Sequence, residues 1–186
     1  MRFNTHSNLT GTHAFLSVSN YHWVNYSDDK LDMAFTTAQA ARRGVELHEF
    51  AYQAITLGIR LPDVPVTMNL YVNDAIGYKM KPEQILFYSP NCYGTADTIC
   101  FRKDMLRIHD LKNGVTRASM KQLEVYAALF CLEYEIDPGD IGIELRIYQN
   151  DVVQGYVPES EAIDYVMEKI VAFDKRIEAL KQEELS

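Results

Sequence analysis

Cysteine is scarce in this chain: Cys92, Cys100 and Cys131 are the three in 186 residues. An odd number without paired spacing argues against a disulfide framework and against a zinc site, and it suits a reducing compartment. Long apolar runs are missing too, since no stretch approaches the ~18 residues of a membrane span. The opening Met-Arg-Phe-Asn-Thr-His has no apolar signal core, so neither export nor membrane attachment is expected. Repeats, low-complexity tracts and clear linkers are absent as well. Residues 1–186 are therefore expected to form one domain, with 1–12 irregular and 159–186 as a C-terminal helical segment. Positive charge is in deficit, with 18 Lys and Arg against 26 Asp and Glu, a net charge of −8. That argues against an extended basic surface for nucleic acid. A small DNA contact, neutralisation shared with a metal, or a basic channel built by oligomerisation all stay open.

What is present centres on Tyr93–Tyr134. Thr95, Asp97, Ile99 and Phe101 alternate with Ala96, Thr98 and Cys100; Leu106, Ile108, Asp110 and Lys112 alternate with Arg107, His109 and Leu111. A hairpin turning at Lys103-Asp104 sets Phe101 opposite Leu106, Ile99 opposite Ile108 and Asp97 opposite Asp110. One face then carries two apolar pairs at one end and two aspartates with a lysine at the other. Directly opposed like charges destabilise a sheet, so a cation is called for, either Lys112 or a bound divalent metal. A slip of one residue would separate the aspartates onto opposite faces. From these residues alone, two ordinary hairpin aspartates beside a surface lysine is the preferred reading.

The order Gly94-x-x-Asp97, Asp110-x-Lys112 and Gln122-x-x-x-Tyr126 resembles the PD-(D/E)XK nuclease superfamily, and its spacing is most similar to the RecB-like exonuclease branch. Upstream, Gly44-x-x-x-His48 fits the first motif of that branch, and Leu16–Asn25 looks like its N-terminal helix. The likeness extends from about residue 10 to the end of the Tyr126 helix and is closest to a bacteriophage-type member. It implies an α/β fold with a restriction-endonuclease-like core, a central mixed β-sheet flanked by helices. It further implies His48, Asp97, Asp110 and the Leu111 backbone carbonyl as metal ligands, and Lys112, Asp110, Asp97, Gln122 and Tyr126 as catalytic residues. Mg²⁺, with Mn²⁺ as substitute, is the expected cofactor. DNA is the expected partner, with a phage recombination or single-strand-binding protein and a homo-oligomer as further candidates, in the cytoplasm of a bacterial host. Relatives that hold an iron–sulfur cluster carry a cysteine after the Trp-x-Asn segment. Tyr26-Ser27 stands there in this chain, so no such cluster is expected. Asn113 also departs from the threonine that often follows Asp-x-Lys in relatives.

Elsewhere, Ser17 is expected to cap a short helix carrying Tyr21, Trp23 and Val24. Leu31–Leu57 reads as a helix with Ala34, Ala38, Ala41, Val45, Leu47, Phe50, Ala54 and Leu57 as its apolar positions. Thr67–Tyr78 reads as a second helix with Asn73-Asp74 at the surface, and Gln84–Tyr88 as a strand entered from Pro82-Glu83. Ser89–Gly94 reads as a turn. Ser119 is expected to cap a helix Met120–Tyr134 with Leu123, Ala127 and Phe130 inward. Ile141–Tyr148 and Val152–Val157 read as an antiparallel pair whose Arg146 and Tyr148 face either DNA or open solvent. The amphipathic helix Ser160–Leu180 is expected to give its stripe to the core and to fray beyond. His109 and Cys100, on the alternate face of the hairpin, are expected to pack rather than react.

Phosphodiester hydrolysis needs an activated water, charge neutralisation and help for the leaving oxygen, which hard divalent ions supply. Lys112 is placed to orient or deprotonate the water, or to stabilise developing charge. The expected activity is a metal-dependent deoxyribonuclease, most simply an exonuclease serving DNA recombination, repair or replication. The alternatives are an endonuclease with the same site, or a non-catalytic binding or inhibitor protein on a nuclease scaffold.

Overall fold

Period-two patterning between Lys81 and Tyr156 becomes five strands, and the periodic stretches around them become helices. The computed structural model describes residues 7–9, 11–114 and 116–184. Its elements are α1 (Asp28–Leu57), α2 (Thr67–Tyr78), β1 (Lys81–Ser89), β2 (Cys92–Arg102), β3 (Met105–Leu111), α3 (Lys121–Tyr134), β4 (Gly142–Gln149), β5 (Val152–Tyr156) and α4 (Ser160–Glu184). The chain divides into two compact units, Met1–Val45 and Glu46–Ser186, and the division falls within α1.

In the first unit Ser7–Leu9 forms a 3₁₀ turn, and the rest of the stretch 1–12 lies largely outside the described residues. The expected short helix is the 3₁₀ turn Tyr21–Asn25, and Ser17 does not cap it. Instead the Ser17 carbonyl accepts a 2.9 Å hydrogen bond from the Trp23 indole N–H, which ties the turn back on itself. The Phe15 and Phe35 rings meet edge to face at 5.2 Å.

The second unit is α/β: a mixed sheet in the order β1-β2-β3-β4-β5, antiparallel throughout except for the parallel pair β3/β4. A parallel pair needs a crossover, and α3 supplies it. Helices cover both faces. On one, Leu123, Ala127, Leu129 and Phe130 of α3 and Ile163 and Ile170 of α4 pack on Leu86, Ile99, Leu106, Ile108, Leu145 and Ile147. On the other, Ala51, Ala54 and Ile55 of α1 and Tyr71, Val72 and Ala75 of α2 pack on Cys100, Leu111 and Tyr148. Among the described residues no helix is long and apolar enough to cross a membrane.

The core corrects several expectations. Of the apolar α1 positions read from the sequence, Ala54 is buried, whereas Val45, Leu47, Phe50 and Leu57 are exposed. The buried face is set by Ala51, Ala54 and Ile55: the two alanines let α1 approach closely and Ile55 fills the space beside them. Asn73 and Asp74 are half-buried, not free surface: Asn73 brackets both backbone groups of Leu61, and Asp74 accepts from Arg146 and Tyr148. Arg146 and Tyr148 therefore face neither DNA nor open solvent, because α2 lies over their side of β4; Tyr148 is wholly buried. The turn before β2 is shorter than expected, since pairing resumes at Cys92. The stripe of α4 divides: Ile163 and Ile170 enter the core while Phe173, Ile177 and Leu180 are exposed, and the helix continues through Glu184. Helix α3 begins at Lys121 without a side-chain cap in the standard place, although the Ser119 hydroxyl does accept from the Lys121 N–H at 3.2 Å.

Candidate functional site

The hairpin register is the one its apolar pairs demand. Phe101 pairs with Leu106, Ile99 with Ile108 and Thr98 with His109. Lys103 and Asp104 both turn through the left-handed region, with φ of 52° and 55°, the twist that a two-residue hairpin connection requires. One step past Thr98 and His109, this register brings Asp97 to the level of Asp110. There a side chain substitutes for the backbone ladder: Asp97 Oδ2 accepts the Leu111 N–H at 2.8 Å.

The two carboxylates share an end of the sheet, and each has its own basic neighbour. His48 of α1 places Nδ1 3.6 Å from Asp97 Oδ1. Lys112 places Nζ 3.0 Å from both oxygens of Asp110 and donates its hydrogen bond to Oδ1. Asp110 Oδ2 is left buried without a hydrogen-bond partner. The same Nζ donates to Gln122 Oε1 at 3.1 Å, and Gln122 Nε2 donates in turn to the Tyr126 hydroxyl at 3.2 Å. Four-residue spacing on α3 aligns Gln122 and Tyr126 on one face. The chain Tyr126–Gln122–Lys112–Asp110 thus fixes the lysine from two sides.

Burial and mutual repulsion set the electrostatics. Asp97 is pushed up to about 6, first by desolvation and then by the charge of Asp110, with His48, the Leu111 N–H and Lys112 only partly countering this. Asp110 is raised as well, by burial, against the opposing pull of Lys112 and His48. The pair is held together at a cost that its basic neighbours do not fully offset.

Every residue singled out from the sequence as a side-chain participant is at this end of the sheet: His48 from α1, Asp97 from β2, Asp110 and Lys112 at the end of β3, Gln122 and Tyr126 from α3. Leu111 joins through its amide N–H. Sequence reasoning missed Glu83. In the β1/β2 register Pro82 pairs with Thr98 and Gln84 with Ala96, so Glu83 stands at the level of Asp97. Its φ of 48° is a left-handed conformation that a glutamate adopts at some cost. Among the described residues, one ligand atom each from His48, Glu83 and Asp97 lie within 4.8 Å of one another, a group that could hold a divalent ion and that does not include Asp110. Carboxylate oxygens with one imidazole suit Mg²⁺ or Mn²⁺ rather than a soft metal. Gly94 has a packing reason: a Cβ there would meet Tyr126 Cε1 at 3.0 Å, so a side chain would press on the ring that anchors Gln122.

Glu46 and Glu49 are exposed and stay outside the cluster. His109 is also outside it. It is buried on the opposite face, with Nδ1 3.2 Å from the Tyr148 hydroxyl. Because Tyr148 donates its own proton to Asp74, it can only accept from His109, which sets the histidine as the Nδ1–H tautomer. Desolvation, then Arg146 and Arg107, lower His109 to about 3.

Comparison with protein-family models, with curated proteins and with solved structures finds no match to this chain.

Proposed function

We propose that this chain is a metal-dependent nuclease that hydrolyses DNA phosphodiester bonds as an exonuclease. The observation that supports it is the convergence of Asp97, Asp110 and Lys112 with His48 and Gln122 at one end of the sheet, from elements far apart in sequence. Carboxylates that repel one another in a partly dry setting are arranged for a cation, and a cation is what phosphodiester hydrolysis needs. His48, Glu83 and Asp97 would hold the ion, with Asp110 and the Leu111 backbone carbonyl as the further oxygen ligands that the resemblance implies. When bound, Mg²⁺ or Mn²⁺ neutralises the phosphoryl group and polarises it for attack.

The chain's own groups do the rest. Lys112, held at 3.0 Å by Asp110 and 3.1 Å by Gln122, keeps one direction for its N–H donors. A water or a phosphate oxygen meeting that nitrogen is oriented without the lysine having to reorganise. Gln122 and Tyr126 act through Lys112 and position it. Partners such as a phage recombination or single-strand-binding protein, and a homo-oligomer, belong to the same proposal. So does the cytoplasm of a bacterial host.

The test is digestion of end-labelled linear and closed circular DNA with Mg²⁺ or Mn²⁺, beside Asp110→Ala and Lys112→Ala. Loss of linear DNA alone, abolished in both variants, is the expected result. Nicking of circles would replace the exonuclease by an endonuclease. Metal binding without cleavage of any DNA would sink the enzyme and leave the binding scaffold that the net charge of −8 favours.

A further inference from the structure

We infer that a cavity beside Lys112 seats the nucleobase of the nucleotide next to the scissile phosphate, an inference that rests on the nuclease reading of the adjoining site. The cavity measures about 360 Å³, within the range of roughly 300–1,000 Å³ typical of small-ligand pockets. His48 and Lys112 form part of its wall, so it opens directly from the proposed centre. Val66, Met68 and Leu111 are the apolar residues of its lining, and Asn113 and Asn150 are among the polar ones.

Charge selects which part of a nucleotide enters. Asp151 forms another part of the wall. The Thr67 N–H and hydroxyl reach its carboxylate at 2.7 and 2.9 Å, and these hydrogen bonds hold it below the usual carboxylate range. A phosphate entering there would meet a fixed negative charge. A flat uncharged ring would not: aliphatic and thioether groups suit its faces, and amides suit its polar edge. With the ring seated, the attached phosphate falls back towards Lys112 and the carboxylates. A base stacked in a duplex cannot enter such a seat without unpairing, so frayed or single-stranded ends are the substrate class it favours.

The experiment is calorimetric titration of the full chain in Mg²⁺ with thymidine 5′-monophosphate and, separately, with 2-deoxyribose 5-phosphate. The expected result is at least a tenfold preference for the nucleotide. Val66→Trp fills the cavity from a position already 46% exposed, and should erase the preference without changing sugar-phosphate binding or the far-UV circular dichroism. Asn150→Gly keeps the left-handed turn, where φ is 51°, and should reduce the preference only in part. Equal affinity for the two ligands, or a preference that survives Val66→Trp, would overturn the inference. A chain that prefers the nucleotide but cleaves no DNA would support the seat while removing the nuclease. One that cleaves DNA with no base preference would do the reverse.

Discussion

His109 and Asp110 are neighbours on β3, almost equally buried, and the fold treats them in opposite ways. His109, 0% exposed, points to the α2 side, donates its Nδ1–H hydrogen bond to the Tyr148 hydroxyl and stays neutral. Asp110, 2% exposed, points to the other side and keeps an ion pair with Lys112, while facing a second carboxylate. His109 rests neutral in a network that satisfies Nδ1 but leaves Nε2 buried without a hydrogen-bond partner. Asp110 likewise has one oxygen, Oδ2, without a hydrogen bond, but that oxygen lies 3.0 Å from the Lys112 ammonium. An unsatisfied atom does not separate the two; charge does, since His109 sheds its charge on burial whereas Asp110 keeps a cationic partner beside a second carboxylate.

The comparison can be broken most sharply at the working side. Asp110→Ala and Lys112→Ala should each lower DNA cleavage by about 10²–10⁴-fold while circular dichroism is retained, and wild-type rates in either would remove the distinction. On the structural side, His109 has a folded pKa near 3, below its ordinary 6.5. Its contribution is therefore fully present above pH 6.5 and is lost as pH falls towards 3, by roughly 5 kcal/mol in all. His109→Gln should flatten the acid limb of stability in urea melts; an unchanged limb would assign acid lability elsewhere.

Asp97 has the opposite sign. Its folded pKa of about 6 lies above the ordinary 3.8, so its ionisation weakens the metal-free fold as pH rises from about 4 through 6, by roughly 3 kcal/mol. Asp97→Asn should therefore be more stable than wild type at pH 7.5 in chelator, and the difference should vanish near pH 3.5. Smallest of all, Gly94→Ala should displace Tyr126 by a few tenths of an ångström. A loss of cleavage of only a few-fold is expected, with kcat changed more than KM.

Much of the site was legible because it depends on local pattern. Two apolar pairs and a two-residue turn leave the hairpin one good register, and that register carries Asp97 and Asp110 to the same level. Four-residue spacing put Gln122 and Tyr126 on one face, but only the resemblance singled them out. Glu83 was not legible, since its place depends on β1 pairing with β2 and on a left-handed backbone that nothing in Lys81-Pro-Glu-Gln announces. Arg146 and Tyr148 were misplaced for a related reason: alternation separates the two faces of β4 but does not say that α2 covers theirs. The α1 stripe failed because its larger apolar residues fit the helical period as well as Ala51 and Ala54, and only packing decided between them.

The claim that the carboxylate pair is held for a cation is tested most directly by thermal unfolding of wild type and Asp97→Asn at pH 7.5, with chelator and with Mn²⁺. Wild type should melt below the variant in chelator and gain several degrees with Mn²⁺, while the variant gains little. An equal Mn²⁺ response in both proteins, or none in wild type, would contradict it.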